Sequence, residues 1–170
     1  MTLTEPGYQR RLVEETINRY STLFGALSVE GLKWCGKTWT ALNHANSVVY
    51  ILDPENNYAN REAARLNPAS ILDGPHPRLI DEWQEVPAIW DAVRFQCDRT
   101  TDKGIFLLTG SAKPKEKSYS HRGADRIAKI RMRTMSLYES GESSGKASLK
   151  ALFAGGSLPW DIKESRGRRN

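Results

Sequence analysis

The stretch Gly31-Leu32-Lys33-Trp34-Cys35-Gly36-Lys37-Thr38 follows the short apolar run Ala26-Leu27-Ser28-Val29 and leads into a segment, Thr38 to Ala45, that reads as a helix. It fits the pattern Gly-x-x-x-x-Gly-Lys-Ser/Thr, a strand-to-helix turn whose backbone N–H groups close around phosphates. On this reading Gly31, Lys33, Trp34, Cys35, Gly36, Lys37 and Thr38 form the phosphate-contacting loop. Lys37 reaches the terminal phosphates, Thr38 offers its hydroxyl to Mg2+, and the helix points its positive end at the charge. The pattern predicts a site for a nucleoside triphosphate.

The rest of the chain alternates strand and helix signals. Leu12, Val13, Ile17, Tyr20 and Leu23 recur at helical spacing within 7–24, a helix that also carries Arg10 and Arg11 and whose expected role is packing. Val48 to Leu52 is a continuous apolar run, typical of a strand buried on both faces. A helix is expected over Asn60–Leu66, and Arg78-Leu79-Ile80 leads as a short strand into Asp81-Glu82. Val86, Ile89, Trp90, Val93 and Cys97 again have helical spacing. Ile105 to Leu108 makes a fourth strand ended by Thr109-Gly110-Ser111, Ile127 to Met132 a fifth, and Leu149 to Phe153 a last helix. Such alternation predicts an α/β sandwich around a mostly parallel sheet, with ligands at the carboxyl ends of the strands.

Asp81-Glu82 at a strand end supplies what a triphosphate site requires next. Asp81 is the expected outer carboxylate for Mg2+, and Glu82 is placed to orient or deprotonate an attacking water. Without the upstream loop, the pair would read as two acids opening a turn. Ser111, with Thr109 behind it, is expected beside the first and third strands, where a hydroxyl either bonds the water or terminal phosphate or caps the turn. Trp34 and Trp39 flank the loop, and large aromatics on such a turn favour packing against the sheet over nucleotide contact. Cys35 sits at a helix N-terminus near Lys37, a setting that favours a thiolate, though no catalytic role is expected of it.

Composition excludes several classes. With 39% hydrophobic and 26% charged residues the chain suits a folded domain, and it has neither a long apolar span nor an export signal, so a cytoplasmic protein without membrane partners is expected. Two cysteines and three scattered histidines offer neither a disulfide framework nor a zinc site. The net charge of +5 is mild, but 113–133 holds eight basic residues against two acidic ones. Lys129, Arg131 and Arg133 alternate with Ile130 and Met132, which suits either a solvated edge strand or a nucleic-acid face.

Four segments occur together: Gly31 to Thr38, Leu79-Ile80-Asp81-Glu82-Trp83-Gln84-Glu85-Val86-Pro87, Phe106 to Ser111, and Arg126-Ile127 followed by Met135-Ser136-Leu137-Tyr138-Glu139. In this order, over about 7–153, they resemble the AAA+-like prokaryotic P-loop ATPases that pair this domain with a carboxy-terminal nuclease-like domain of unknown function. The resemblance implies ATP hydrolysis with Mg2+ and a three-layer P-loop NTPase fold with sheet order 5-1-4-3-2. It also implies an arginine, here Arg126, that reaches the terminal phosphate of a neighbouring subunit in a homo-oligomer; Arg122 of the same segment is the fallback, and the alternative is that Arg126 is a surface arginine held away by Asp125. Asp125 stands where the family usually has glycine before Arg-Ile, and Thr134 where it usually has proline. Members usually continue into the second domain, so this chain, ending at Asn170, resembles a truncated product or the ATPase half alone, with 154–170 a flexible basic tail. The leading expectation is an ATP hydrolase that drives a partner or attached domain. Its alternatives are an ATP-binding switch or remnant without turnover, a DNA-associated ATPase and, disfavoured by Glu82, a small-molecule kinase.

Overall fold

The computed structural model describes residues 3–4, 6–111, 126–143 and 149–155. Five parallel strands form one sheet in the order β2-β3-β4-β1-β5, the same neighbours as the expected 5-1-4-3-2. They are β1 (Ala26–Gly31), β2 (Ser47–Tyr50), β3 (Arg78–Asp81), β4 (Phe106–Ser111) and β5 (Ile127–Met132). The helices are α1 (Val13–Ser21), α2 (Lys37–Leu42), α3 (Ala59–Leu66), α4 (Ala88–Asp98) and α5 (Leu149–Phe153), with 3-10 turns at Pro68–Ile71 and Trp83–Glu85. Two compact units divide the chain, 1–135 and 136–170.

Strand periodicity sorts the core of the first unit into two layers. Successive side chains point to opposite faces, so Ile80, Phe106 and Leu108 join Val93, Ile89 and Trp90 of α4 on one side of the sheet. Leu79, Leu107, Leu27 and Val29 meet Ile17 of α1 and Ala41 and Leu42 of α2 on the other. Trp83 and Trp90 are fully buried, with ring centroids 4.9 Å apart.

Several elements differ from their expected limits. α1 begins at Val13: Gly7 has a φ of +80°, and the backbone N–H of Arg11 donates to the side chain of Glu14. β2 stops at Tyr50 and is only half buried, because it is an outer strand of the sheet and not an inner one. α2 ends at Leu42, three residues early. β4 takes in Thr109, Gly110 and Ser111, which pair with Val29, Glu30 and Gly31 and so extend the strand instead of ending it. β5 is the other outer strand, with Lys129 and Arg131 exposed and Ile130 and Met132 buried. Lys129 lies 3.3 Å from Glu30 of β1 and 5.1 Å from the ring centre of Trp90 of α4, so it is engaged by both elements. The basic residues from Lys113 to Arg122 lie outside the described residues, as does most of the tail.

In the second unit, Ser136 opens a turn in which its N–H and hydroxyl both donate to Glu139 Oε2, at 2.7 and 2.8 Å. The Ser-x-x-Glu spacing is that of a capping box. The Met-Ser-Leu-x-Glu motif thus has a local structural cause.

Truncating the tilted indole pair tests the core assignment. Trp90→Ala is expected to lower unfolding free energy by about 3–5 kcal/mol, read from denaturant midpoints. A loss within the ~0.5 kcal/mol typical of surface changes would contradict the packing described.

Candidate active site

Parallel register brings three strand ends together. Gly31 of β1 lies opposite Ser111 of β4, and Asp81 of β3 lies opposite Thr109 of β4. β1 then enters the loop, in which Gly36 caps α2 with a φ of +93° that an L side chain rarely tolerates. Gly31 meets a different constraint: a Cβ there would sit 2.4 Å from the carbonyl oxygen of Met132. The first glycine of the motif is therefore required by the approach of β5.

Thr38 Oγ1 donates to Asp81 Oδ1 at 2.8 Å, and Thr109 Oγ1 donates to the same oxygen. Thr109 is fully buried, so its hydroxyl orients the carboxylate. The side chain of Ser111 lies outside the described part. Burial pushes the Asp81 carboxyl above its ordinary value, against the hydrogen bonds from Thr109 and Thr38. Glu82, next in the chain, has a φ of +57° and accepts a hydrogen bond from Gln84 Nε2. Left-handed backbone at a glutamate is uncommon, and here it turns the chain from β3 into the Trp83–Glu85 turn.

Lys37 is buried and donates from Nζ to the carbonyl of Leu32 at 2.9 Å, across its own loop. A cavity of about 650 Å³ is lined by Lys33, Trp34, Lys37, Thr38, Tyr50 and Glu82, among others. That volume lies in the range of small-ligand sites, about 300–1,000 Å³. A smaller cavity of about 250 Å³, bordered by Tyr8, Gln9, Trp39 and Met135, shares Gly36 with it. The expected packing of the loop tryptophans against the sheet is not found: Trp34 is 90% exposed and Trp39 49%. The φ of +68° at Trp34 turns its indole outward, under Lys33 Nζ at 5.4 Å. Cys35 points inward, with Sγ 4.0 Å from the carbonyl oxygen of Met132, and is buried away from solution reagents.

Arg126 is not gathered with the others. Its carbonyl accepts from Ala26 N–H at the start of β1, and its Nε donates to Asp98 Oδ1 at 2.6 Å. The six residues of β1 separate it from the loop by about 17 Å at ~3.3 Å per residue. Sequence reasoning also passed over Arg11 and Gln84. Arg11 was visible only as a charge on an amphipathic segment, whereas Nη1 in fact donates to the carbonyl of Cys35 at 2.8 Å.

The pH dependence of stability tests the Asp81 environment. A carboxyl raised in the folded state contributes stability that is full below its unfolded value of about 3.9 and lost as pH rises through the folded value. Asp81→Asn has no such loss. Its melting temperature relative to the unsubstituted chain should therefore climb from acid to neutral pH in nucleotide-free buffer. A flat or falling difference would contradict a carboxylate held against burial.

Comparison with known proteins gives one match by family. A model described as AAA domain matches residues 24–141, which spans β1 through β5 and both acids. No curated protein matches the chain. The strand order is consistent with that match, and the chain belongs to the AAA domain family, whose members are nucleotide-binding ATPases.

Proposed function

We propose that this chain binds ATP with Mg2+ at the loop 31–38 and hydrolyses it, with turnover coupled to a partner or an attached domain. The observation that carries the reading is the meeting of Thr38 and Asp81 at 2.8 Å, with Lys37 and Glu82 lining the same cavity. Two hard oxygen ligands side by side suit Mg2+, which keeps water and phosphate oxygens for the remainder of its shell. Among the described residues no three His, Cys, Asp or Glu side chains converge, so an all-protein metal cage is not what the site offers. When bound, the cation would neutralise charge on the phosphates.

The chain's own groups then divide the work. The first turn of α2 leaves N–H groups without intrahelical acceptors, and these face an anion favourably. Lys37, now spanning its own loop to Leu32, supplies a side-chain charge that lines the same cavity. Glu82 accepts the proton of the attacking water, while Thr109 holds Asp81 in orientation. Trp39 stands between the two cavities, so a triphosphate in the larger one and a flat base in the smaller one suit the available space. Arg126, distant from the loop within one chain and paired with Asp98, is assigned contact with the nucleotide of a neighbouring copy on the family resemblance; the alternative is a surface arginine on an edge segment.

A second reading, nucleotide binding with negligible turnover, is favoured by the hydrogen bond from Gln84 to Glu82. That amide occupies Oε2, one of the two carboxylate oxygens through which Glu82 would orient a water.

Lys37→Ala is expected to weaken ATP binding by about a hundredfold or more, ~2.7 kcal/mol, in calorimetric titration; unchanged affinity would show that 31–38 is not a phosphate site. Glu82→Gln should retain binding and lose about 10²–10⁴ in phosphate release, and turnover equal to wild type would remove Glu82 from the mechanism. Mixing Arg126→Ala with Glu82→Gln should restore some hydrolysis in a shared assembly. Full activity of Arg126→Ala alone would reject its action in trans.

A further inference from the structure

Arg11 lies two residues before α1 and is 5% exposed, which is rare for arginine unless every donor has a purpose. Its two terminal nitrogens reach two separate carbonyls, Nη1 that of Cys35 in the loop at 2.8 Å and Nη2 that of Arg133 after β5 at 3.0 Å. The planar guanidinium thus bridges the loop to the end of an outer strand, which a single-point ammonium would not do.

The anchor of Arg11 is itself buried. Its backbone N–H donates to Glu14 Oε1 at 2.6 Å, and Glu14 is 4% exposed. The same carboxylate accepts from the Tyr8 hydroxyl at 2.7 Å and from Asn43 Nδ2 at 3.2 Å, with His44 Nε2 3.5 Å away. Burial is the main reason the Tyr8 hydroxyl is pushed up to about 12, so it remains a donor at neutral pH.

The consequence for the loop follows from peptide geometry. In a trans peptide the C=O of one residue and the N–H of the next point in opposite directions. Binding of the Cys35 carbonyl by Arg11 therefore turns the Gly36 N–H away from the guanidinium. Gly36 lines the same cavity as Lys37, Thr38 and Glu82. A Cβ on Gly36 would lie 3.1 Å from Arg11 Nη1, so the guanidinium occupies the space on its own side of the loop.

We propose that Arg11 is a positioning residue for the nucleotide site: it holds the Cys35–Gly36 peptide in one orientation, so that the loop is shaped for an anion before the anion arrives. The proposal rests on the ATP-binding reading above for its ligand, but the loop order it asserts is measurable without nucleotide. Preorganised donors cost nothing to orient when the ligand binds. A loop released from this bridge has to be ordered by the nucleotide itself.

The test uses the full chain with Arg11→Met and Arg11→Lys, the latter keeping the charge but not the fork. Amide relaxation should report order parameters near ~0.85 for Trp34, Cys35 and Gly36 in the wild type and below ~0.6 in Arg11→Met, with α4 unchanged. Mg-ATP affinity should fall at least tenfold in Arg11→Met and by an intermediate factor in Arg11→Lys, at a temperature well below either midpoint. A lower melting temperature with unchanged loop order and affinity would overturn the proposal and leave Arg11 a structural residue. If Arg11→Met does not fold, Arg11→Lys decides on the same two measurements. A wild type that ignores ATP, while its loop still loosens on loss of Arg11, would refute the nucleotide reading and keep the bridge.

Discussion

One carboxylate oxygen, Asp81 Oδ1, joins the parts of this site. It receives Thr38 from the first turn of α2 and Thr109 from β4, and so ties α2 to two neighbouring strands. The contact exists only because β3 and β4 pair in a register that sets Asp81 against Thr109. Its cost is burial of an acid whose ionisation is opposed by its surroundings. Neutral hydroxyl donors offset part of that cost, and on the reading proposed above the remaining loss of stability would be exchanged for an oxygen able to hold a cation.

Around this oxygen the loop is constrained from both sides. Gly31 admits the carbonyl of Met132 at a distance that no side chain would allow, and Arg11 spans the carbonyls of Cys35 and Arg133. Both ties lead to β5, an outer strand. The end of β5 is thus part of the scaffold of the loop 31–38 even though it contributes no acid or hydroxyl to the site. Changes at Met132 or Arg133 would be felt in the loop through backbone contacts.

The legible parts were those governed by local rules. Motif spacing anticipated that Lys37 and Thr38 lie together and that Thr38 meets Asp81, and apolar periodicity placed α4 and the buried strands, because both signals act over a few residues. What escaped depends on tertiary neighbours. The half-burial of β2 follows from its outer position in the sheet, which its apolar run Val48–Leu52 does not encode. The direction of Trp34 follows from a positive φ, and large aromatic residues give no warning of that conformation. Thr109 pointing at Asp81 needs strand register, and the Arg11 contact to Cys35 spans 24 residues of chain. The bond from Arg126 to Asp98 likewise joins two elements that no spacing rule connects.

The central claim is that Thr38 and Asp81 form half of a cation site that a nucleotide's phosphates complete. Titration of ATP into the wild-type chain with Mg2+ and again with a chelator measures this directly. The account predicts binding at least about tenfold tighter with the cation, ~1.4 kcal/mol. Equal affinity under both conditions, or no binding in either, would contradict it.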